Sequence, residues 1–299
     1  MSIPIYLDSE CTPILPELLA REFRVFREPD RSIRGMVTSG SQGVSGGQMD
    51  RLPNLQIIAN FGVGVDQIDM QAAQARHIVV CNTPDVLTES VAELAFALLL
   101  ATARRLTVAD RWVRERQWEK GRFPLGSQVY GKTCGLVGMG RIGQAVARRA
   151  EAFGMKIAYH TRHRHELAYR FVADLEELAR DSDFLVLVVP GGPATDRMVE
   201  ARVLAALGPT GVLINVARGS VVDEPALVRA LLTGQIGGAG LDVFAHEPKV
   251  PEELLDLEQV VLTPHLGSAT EEARRAMAEL CVANLRSFFA GEGALTPWP

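Results

Sequence analysis

The chain has 299 residues, 47% hydrophobic and 22% charged. That is the balance of a globular protein, and at roughly 150 residues per domain it predicts about two domains. The net charge of −5, from 31 Lys and Arg against 36 Asp and Glu, argues against nucleic-acid binding, which favours a basic excess or face. A disordered chain, a collagen-like fibre and a small disulfide scaffold are excluded too. The 27 glycines, about 9% of the chain against a usual value of about 7%, are the one excess.

Short apolar or β-branched runs predict strands at 3–7, 35–37, 57–59, 78–81, 134–137, 156–159, 170–172, 184–189, 211–215, 239–243 and 260–263. Helical patterns separate most of them. Nearly all-apolar strands with helices between them argue for parallel sheets covered on both faces, an α/β doubly wound fold. The opening MSIPIYLDSE lacks a basic n-region and reads as no signal peptide. The longest apolar stretch, 94–101, is far short of the roughly 20 residues of a membrane span. Residues 88–105 predict one long helix with Thr88 as N-cap, apolar almost all round and therefore buried. A loop is expected over 121–131. Cys11, Cys81, Cys134 and Cys281 stand at least 53 positions apart, so there is no CxxC and no metal-ligand spacing. A reducing cytoplasm and no metal site are expected.

The glycines cluster where a strand runs into Gly138-x-Gly140-x-x-Gly143, followed by a helix ending at Gly154 and a second strand at 156–159. That strand–turn–helix context is what a dinucleotide site requires. Gly138 permits the tight turn, Gly140 lets backbone approach a pyrophosphate, and Gly143 lets helix pack on strand. The helix N-terminus offers N–H groups and a positive dipole to the anion. An NAD site usually places an acid at the end of the second strand, on the ribose 2′-OH. Here no Asp or Glu occurs from Ala152 to His165. Thr161 and Arg162, with His163 or Arg164 beside them, predict pairing with a 2′-phosphate, hence NADP(H) preferred over NAD(H).

Arg218, Asp242 with Glu247, and His265 each follow a predicted strand. Ligands of open α/β sheets bind beyond the strands' carboxyl ends, so these groups are expected to converge on the cofactor. The segments GLVGMGRIG, NVARGSVVDEPAL, GLDVFAHEP and VLTPHLGSAT, in this order, resemble the D-isomer-specific 2-hydroxyacid dehydrogenase family. LPNLQIIANFGVGVDQIDM and NTPDVLTESVAELAFALLLATARR resemble its substrate domain and first linker helix. The NTPDVLT, VPGGPAT and HTRHR segments look most like NADPH-linked glyoxylate/hydroxypyruvate and hydroxyphenylpyruvate reductases.

The resemblance implies roles. Arg218 grips the substrate carboxylate and polarises the 2-oxo group. His265 is the general acid, and Glu247 orients and charges its imidazole. Asp242 holds the nicotinamide carboxamide, and Val63 and Gly64 present N–H groups to the carboxylate. Met139, Arg141, Ile142, Pro190, Thr195, Val216, Ala217 and Thr88 complete the cofactor-binding set. Two doubly wound parallel-sheet domains, Rossmann-like and flavodoxin-like, are implied with a cleft between them. Residues 1–87 and 267–299 form the substrate domain, and 88–266 the cofactor domain. A homodimer joined through the cofactor domain is implied, the apolar helix over 88–105 suiting that interface; no nucleic-acid or membrane partner is.

The expected reaction is NADPH-dependent reduction of glyoxylate or hydroxypyruvate to the D-2-hydroxy acid. Aryl pyruvates or 2-ketogluconate remain open as bulkier substrates, as does a non-catalytic dinucleotide-sensing regulator on the same fold. Glu247, where formate dehydrogenases have Gln, favours hydroxy-acid chemistry. The chain length leaves no room for the regulatory domain of many phosphoglycerate dehydrogenases.

Overall fold

Each strand pairing in the computed structural model is parallel, and the strands form one sheet of five and one of seven. Residues 2–9, 11–40 and 42–298 are described. Contacts divide the chain into Met1–Leu87 with Ser268–Pro299, and Thr88–Gly267.

The first unit runs β1 (Pro4–Leu7), α1 (Ile14–Ala20), β2 (Arg24–Phe26), β3 (Gly35–Ser39), α2 (Gly46–Asp50), β4 (Ile57–Phe61), α3 (Met70–Ala75) and β5 (Val79–Cys81). Its sheet order is β2-β1-β3-β4-β5. All of β4 is buried, as a strand covered on both faces must be. β2, absent from the predicted strands, is a three-residue edge strand with Arg24 exposed. Its charge hid it, and charge is what an unpaired edge tolerates.

The second unit runs α4 (Thr88–Arg104), α5 (Leu106–Arg114), β6 (Thr133–Val137), α6 (Arg141–Ala152), β7 (Lys156–His160), β8 (Arg170–Phe171), α7 (Leu175–Arg180), β9 (Phe184–Leu187), α8 (Ala201–Leu207), β10 (Val212–Asn215), α9 (Glu224–Leu232), β11 (Gly238–Leu241), α10 (Glu252–Leu255) and β12 (Val260–Leu262). The chain then returns to the first unit with α11 (Glu271–Phe289). The order β12-β11-β10-β9-β6-β7-β8 reverses between β6 and β9, the switch point where such sheets take ligands. Side chains alternate across the sheet. Phe184 and Val186 of β9 join the core beneath α4 and α6, whereas Leu185 and Leu187 join the core beneath α7, α8 and α9. The α/β doubly wound expectation describes what the chain adopts.

Two expectations are corrected. The long helix stops at Arg104 because Arg105 turns left-handed (φ 53°), and the Ala103 carbonyl takes the N–H of Ser127 at 2.7 Å. The unforeseen α5 follows. Thr88 is the first helical residue of α4 rather than the residue capping it.

Candidate functional site

β6 ends in the glycine turn. Gly138 is left-handed (φ 103°), and a Cβ on Gly143 would lie 2.4 Å from the Gly138 carbonyl oxygen. α6 therefore starts close against the strand end, as that carbonyl demands. Gly140, exposed, has nothing within 4 Å of a Cβ position. Open space before a twelve-residue helix N-terminus is where a phosphate fits, facing N–H groups that lack intrahelical acceptors. Arg141 and Ile142 open that helix, and Met139 before it is buried. The residues present fit a dinucleotide.

Beyond β7, Arg162, His163 and Arg164 are exposed. The Thr161 hydroxyl donates to the His163 carbonyl at 2.6 Å. The turn is held from below by Tyr159, whose hydroxyl bonds both the N–H and the carbonyl of His165 at 3.0 Å. Beyond β9, the Thr195 hydroxyl donates to the Pro190 carbonyl at 2.7 Å, so it closes its own loop. Val216 and Ala217 follow β10, and the Ala217 N–H donates to the Asn215 side chain.

Arg218 comes next. Its Nη1 donates to the Ala217 carbonyl at 2.8 Å, and Asn215 Nδ2 holds the Arg218 carbonyl at 3.0 Å. A Cβ on the following Gly219 would lie 1.9 Å from the carbonyl carbon of Phe244. Only glycine lets the two backbones meet, and their meeting brings Arg218 to the loop that carries Glu247. Glu247 Oε1 accepts the Phe244 N–H at 3.1 Å, and Oε2 lies 2.7 Å from His265 Nδ1. Burial raises the Glu247 pKa, but the hydrogen bond and charge of His265, the Phe244 N–H and the Arg218 guanidinium outweigh it and leave it below the ordinary value. An ionised carboxylate only accepts, so Nδ1 donates and Nε2 is the ring nitrogen left for another partner. Arg218, Glu247 and His265 are thus brought together on one unit.

Asp242, just past β11, is nearly fully buried. Its Oδ1 accepts from the Thr263 hydroxyl at 2.6 Å and the Leu266 N–H at 2.7 Å, and Oδ2 from the Gly267 N–H at 2.9 Å. Its own carbonyl accepts the His265 N–H at 2.9 Å. His265 is left-handed (φ 53°), and these bonds bracket it. Burial leaves the Asp242 carboxyl above its ordinary value despite these donors.

In the first unit, the turn after β4 carries Val63 and Gly64, both half-buried. Asn60 Nδ2 donates to the carbonyls of Gly62 and Gly64 at 3.1 and 3.0 Å, and Asn82 Nδ2 to that of Val63 at 2.8 Å. Neither Asn was singled out in the sequence. Asn60, the one polar residue of β4, marks a buried amide in the sequence but not what that amide holds.

Among the described residues no helix is long and apolar enough to cross a membrane, and no group of three or more His, Cys, Asp or Glu could hold a metal.

The profile of the "D-isomer specific 2-hydroxyacid dehydrogenase, NAD binding domain" family matches residues 96–267. The chain belongs to this family and is an oxidoreductase with a dinucleotide-binding domain. It is 49% identical over 267 residues to glyoxylate/hydroxypyruvate reductase A of Arabidopsis thaliana, covering 89% of this chain and 85% of the relative. It is 48% identical over the same length to a hydroxyphenylpyruvate reductase of Plectranthus scutellarioides, with the same coverage. Among solved structures, the NADPH-dependent glyoxylate/hydroxypyruvate reductase of Sinorhizobium meliloti, in complex with NADP and malonate, superposes with a TM-score of 0.95. That pair is 47% identical and covers 100% of this chain and 97% of the other.

Proposed function

We propose that the protein reduces a small 2-oxo acid, glyoxylate or hydroxypyruvate, to the D-2-hydroxy acid with NADPH. The observation that carries this reading is the Glu247–His265 pair beside Arg218, which suits general-acid work on an anionic carbonyl compound. Arg218 grips the carboxylate, and the N–H groups of Val63 and Gly64 supply further donors to it. His265 gives its Nε2 proton to the nascent alkoxide, and Glu247 stabilises the imidazolium before the transfer. The nicotinamide supplies the hydride. Thr88, Val216, Ala217, Pro190 and Thr195 would hold the cofactor beside the glycine turn, and Asp242 would accept from its carboxamide. We assign residues 1–87 and 267–299 to the substrate and 88–266 to the cofactor, within one residue of the division by contacts after Gly267.

NADPH preference rests on the exposed Arg162 and Arg164, with Thr161 and His163, where no acid stands between Ala152 and His165. The named activities of the relatives and the NADP in the S. meliloti structure support it. The four free cysteines, three of them buried, suit a reducing cytoplasm. Burial pushes the Cys134 thiol up to about 12.

The homodimer is proposed through the segment 106–130 rather than α4, most of whose apolar residues are buried inside the second unit. Trp118 and Leu125 in that segment are 69% and 96% exposed.

Following NADPH or NADH oxidation with glyoxylate, hydroxypyruvate, phenylpyruvate and 2-ketogluconate tests the reading. Turnover of the small acids with a lower KM for NADPH than NADH is expected, and His265→Ala lowers kcat by about 10²-fold or more. Cofactor binding without turnover of any substrate leaves a sensor instead.

A further inference from the structure

We infer that Asn60 and Asn82 are positioning residues that aim the substrate-binding N–H groups, and that residues 296–298 hold Asn82 in place. This rests on the proposal that Val63 and Gly64 receive the substrate carboxylate.

A trans peptide points its carbonyl and the next residue's N–H in opposite directions. The Gly62 carbonyl is held by Asn60 Nδ2 at 3.1 Å and by the Thr83 N–H at 3.0 Å. The Val63 N–H must therefore face the other way. The Val63 carbonyl is held by Asn82 Nδ2 at 2.8 Å, which turns the Gly64 N–H outward in the same manner. The Gly64 carbonyl returns to Asn60 Nδ2 at 3.0 Å. Three consecutive carbonyls are thus gripped by two side-chain amides, and neither Val63 nor Gly64 donates a hydrogen bond within the described chain. Two unspent donors on consecutive residues of one turn are the makings of an anion receptor.

Asn60 is fully buried, and its Oδ1 has no hydrogen-bond partner among the described residues. An orphaned buried acceptor costs about 1–3 kcal/mol. The amide cannot flip to relieve it, because Nδ2 would then leave both carbonyls. Its orientation is set by the turn.

Asn82 is fixed by a segment far along the chain. Its N–H donates to the Thr296 carbonyl at 3.2 Å, and the Thr296 hydroxyl donates to its carbonyl at 2.6 Å. The Thr296 N–H donates to Asn284 Oδ1 at 2.9 Å, and Asn284, fully buried on α11, donates back through Nδ2 to the Thr296 hydroxyl oxygen at 2.9 Å. Pro297 bridges Cys81, and the Trp298 N–H donates to the Val80 carbonyl at 2.8 Å. The segment makes one antiparallel bridge at the edge of β5, and these bonds set where Asn82 stands.

The test uses Asn82→Asp, isosteric but with an acceptor facing the Val63 carbonyl, Asn82→Ala, and Thr296→Val, which removes the hydroxyl shared by Asn82 and Asn284. With NADPH-saturated protein, oxalate serves as a carboxylate that cannot be reduced. In the parent, oxalate is expected to slow hydrogen exchange of the peptide covering 61–66. The Asn82 variants then raise the glyoxylate KM about 10-fold, the effect of losing hydrogen bonds to a charged group. Their kcat stays within twofold and their NADPH affinity is unchanged. Thr296→Val shifts KM in the same direction by less. A merely structural role would lower melting temperature and active fraction without moving KM. No oxalate protection in the parent defeats the substrate-site reading, and the positioning role with it. Protection in the parent, with unchanged KM and unchanged protection in the folded Asn82 variants, overturns the positioning role alone.

Discussion

A left-handed histidine is uncommon outside glycine-like turns, and His265 is one. Four hydrogen bonds from Thr263, His265, Leu266 and Gly267 converge on Asp242 and hold that backbone. Asp242→Asn removes an acceptor at Oδ2 or Oδ1, so at least one N–H loses its partner. A large fall in kcat is expected, with NADPH affinity, read by cofactor fluorescence, kept within about threefold; that limit is about 0.65 kcal/mol, below the 1.5–3 kcal/mol of a hydrogen bond to a charged group. A larger loss of affinity would give the carboxamide contact the greater share. Glu247 carries a pH prediction. Its pKa is lowered in the fold from the ordinary 4.5, so its contribution to stability is complete above that value and lost as pH falls through the lower one. The melting-temperature advantage of the parent over Glu247→Gln should therefore narrow as pH drops below 4.5. An advantage that persists at low pH would show that the carboxylate charge is not its source.

At the scale of elements, the parallel strands were legible because burial on both faces writes apolar runs into the chain, as in Ile57–Phe61 and Phe184–Leu187. The glycine turn was legible because close backbone approach admits few residues. Gly143→Ala puts a methyl 2.4 Å from a carbonyl oxygen that cannot move without shifting β6. Overpacking of this kind typically costs about 1–3 kcal/mol, so a lower melting temperature and weaker NADPH binding are expected together, by calorimetry and by titration. Unchanged binding would mean the helix can slide without disturbing the turn. The pairing of Arg218 with the Glu247 loop was only partly legible, since the near-collision of Gly219 with Phe244 joins segments 25 residues apart. β2, α5 and the amide grip on the 62–64 carbonyls were not legible. A charged three-residue edge has no apolar signature, and the break before α5 depends on the Ser127 N–H capturing the Ala103 carbonyl. An Asn reads the same whether it serves a turn or a grip.

For the whole molecule, the exposed side chains of Leu106, Val113, Trp118, Leu125 and Tyr130 set an association prediction. Sedimentation at micromolar concentration should give a dimer, and Leu125→Glu with Trp118→Glu should shift it to monomer, since buried charge without a partner opposes association. A parent that sediments as monomer would remove the interface from this segment. The strand-like run 296–298 has a consequence of another kind. A five-stranded sheet offers two open rims on which foreign strands can grow. Here one rim is capped by the chain's own backbone through Pro297 and Trp298, and the other is a three-residue strand beginning with an exposed arginine. Loosening of residues 296–298 would uncover the β5 rim as a template for fibrillar pairing, so slow aggregation would be its visible sign.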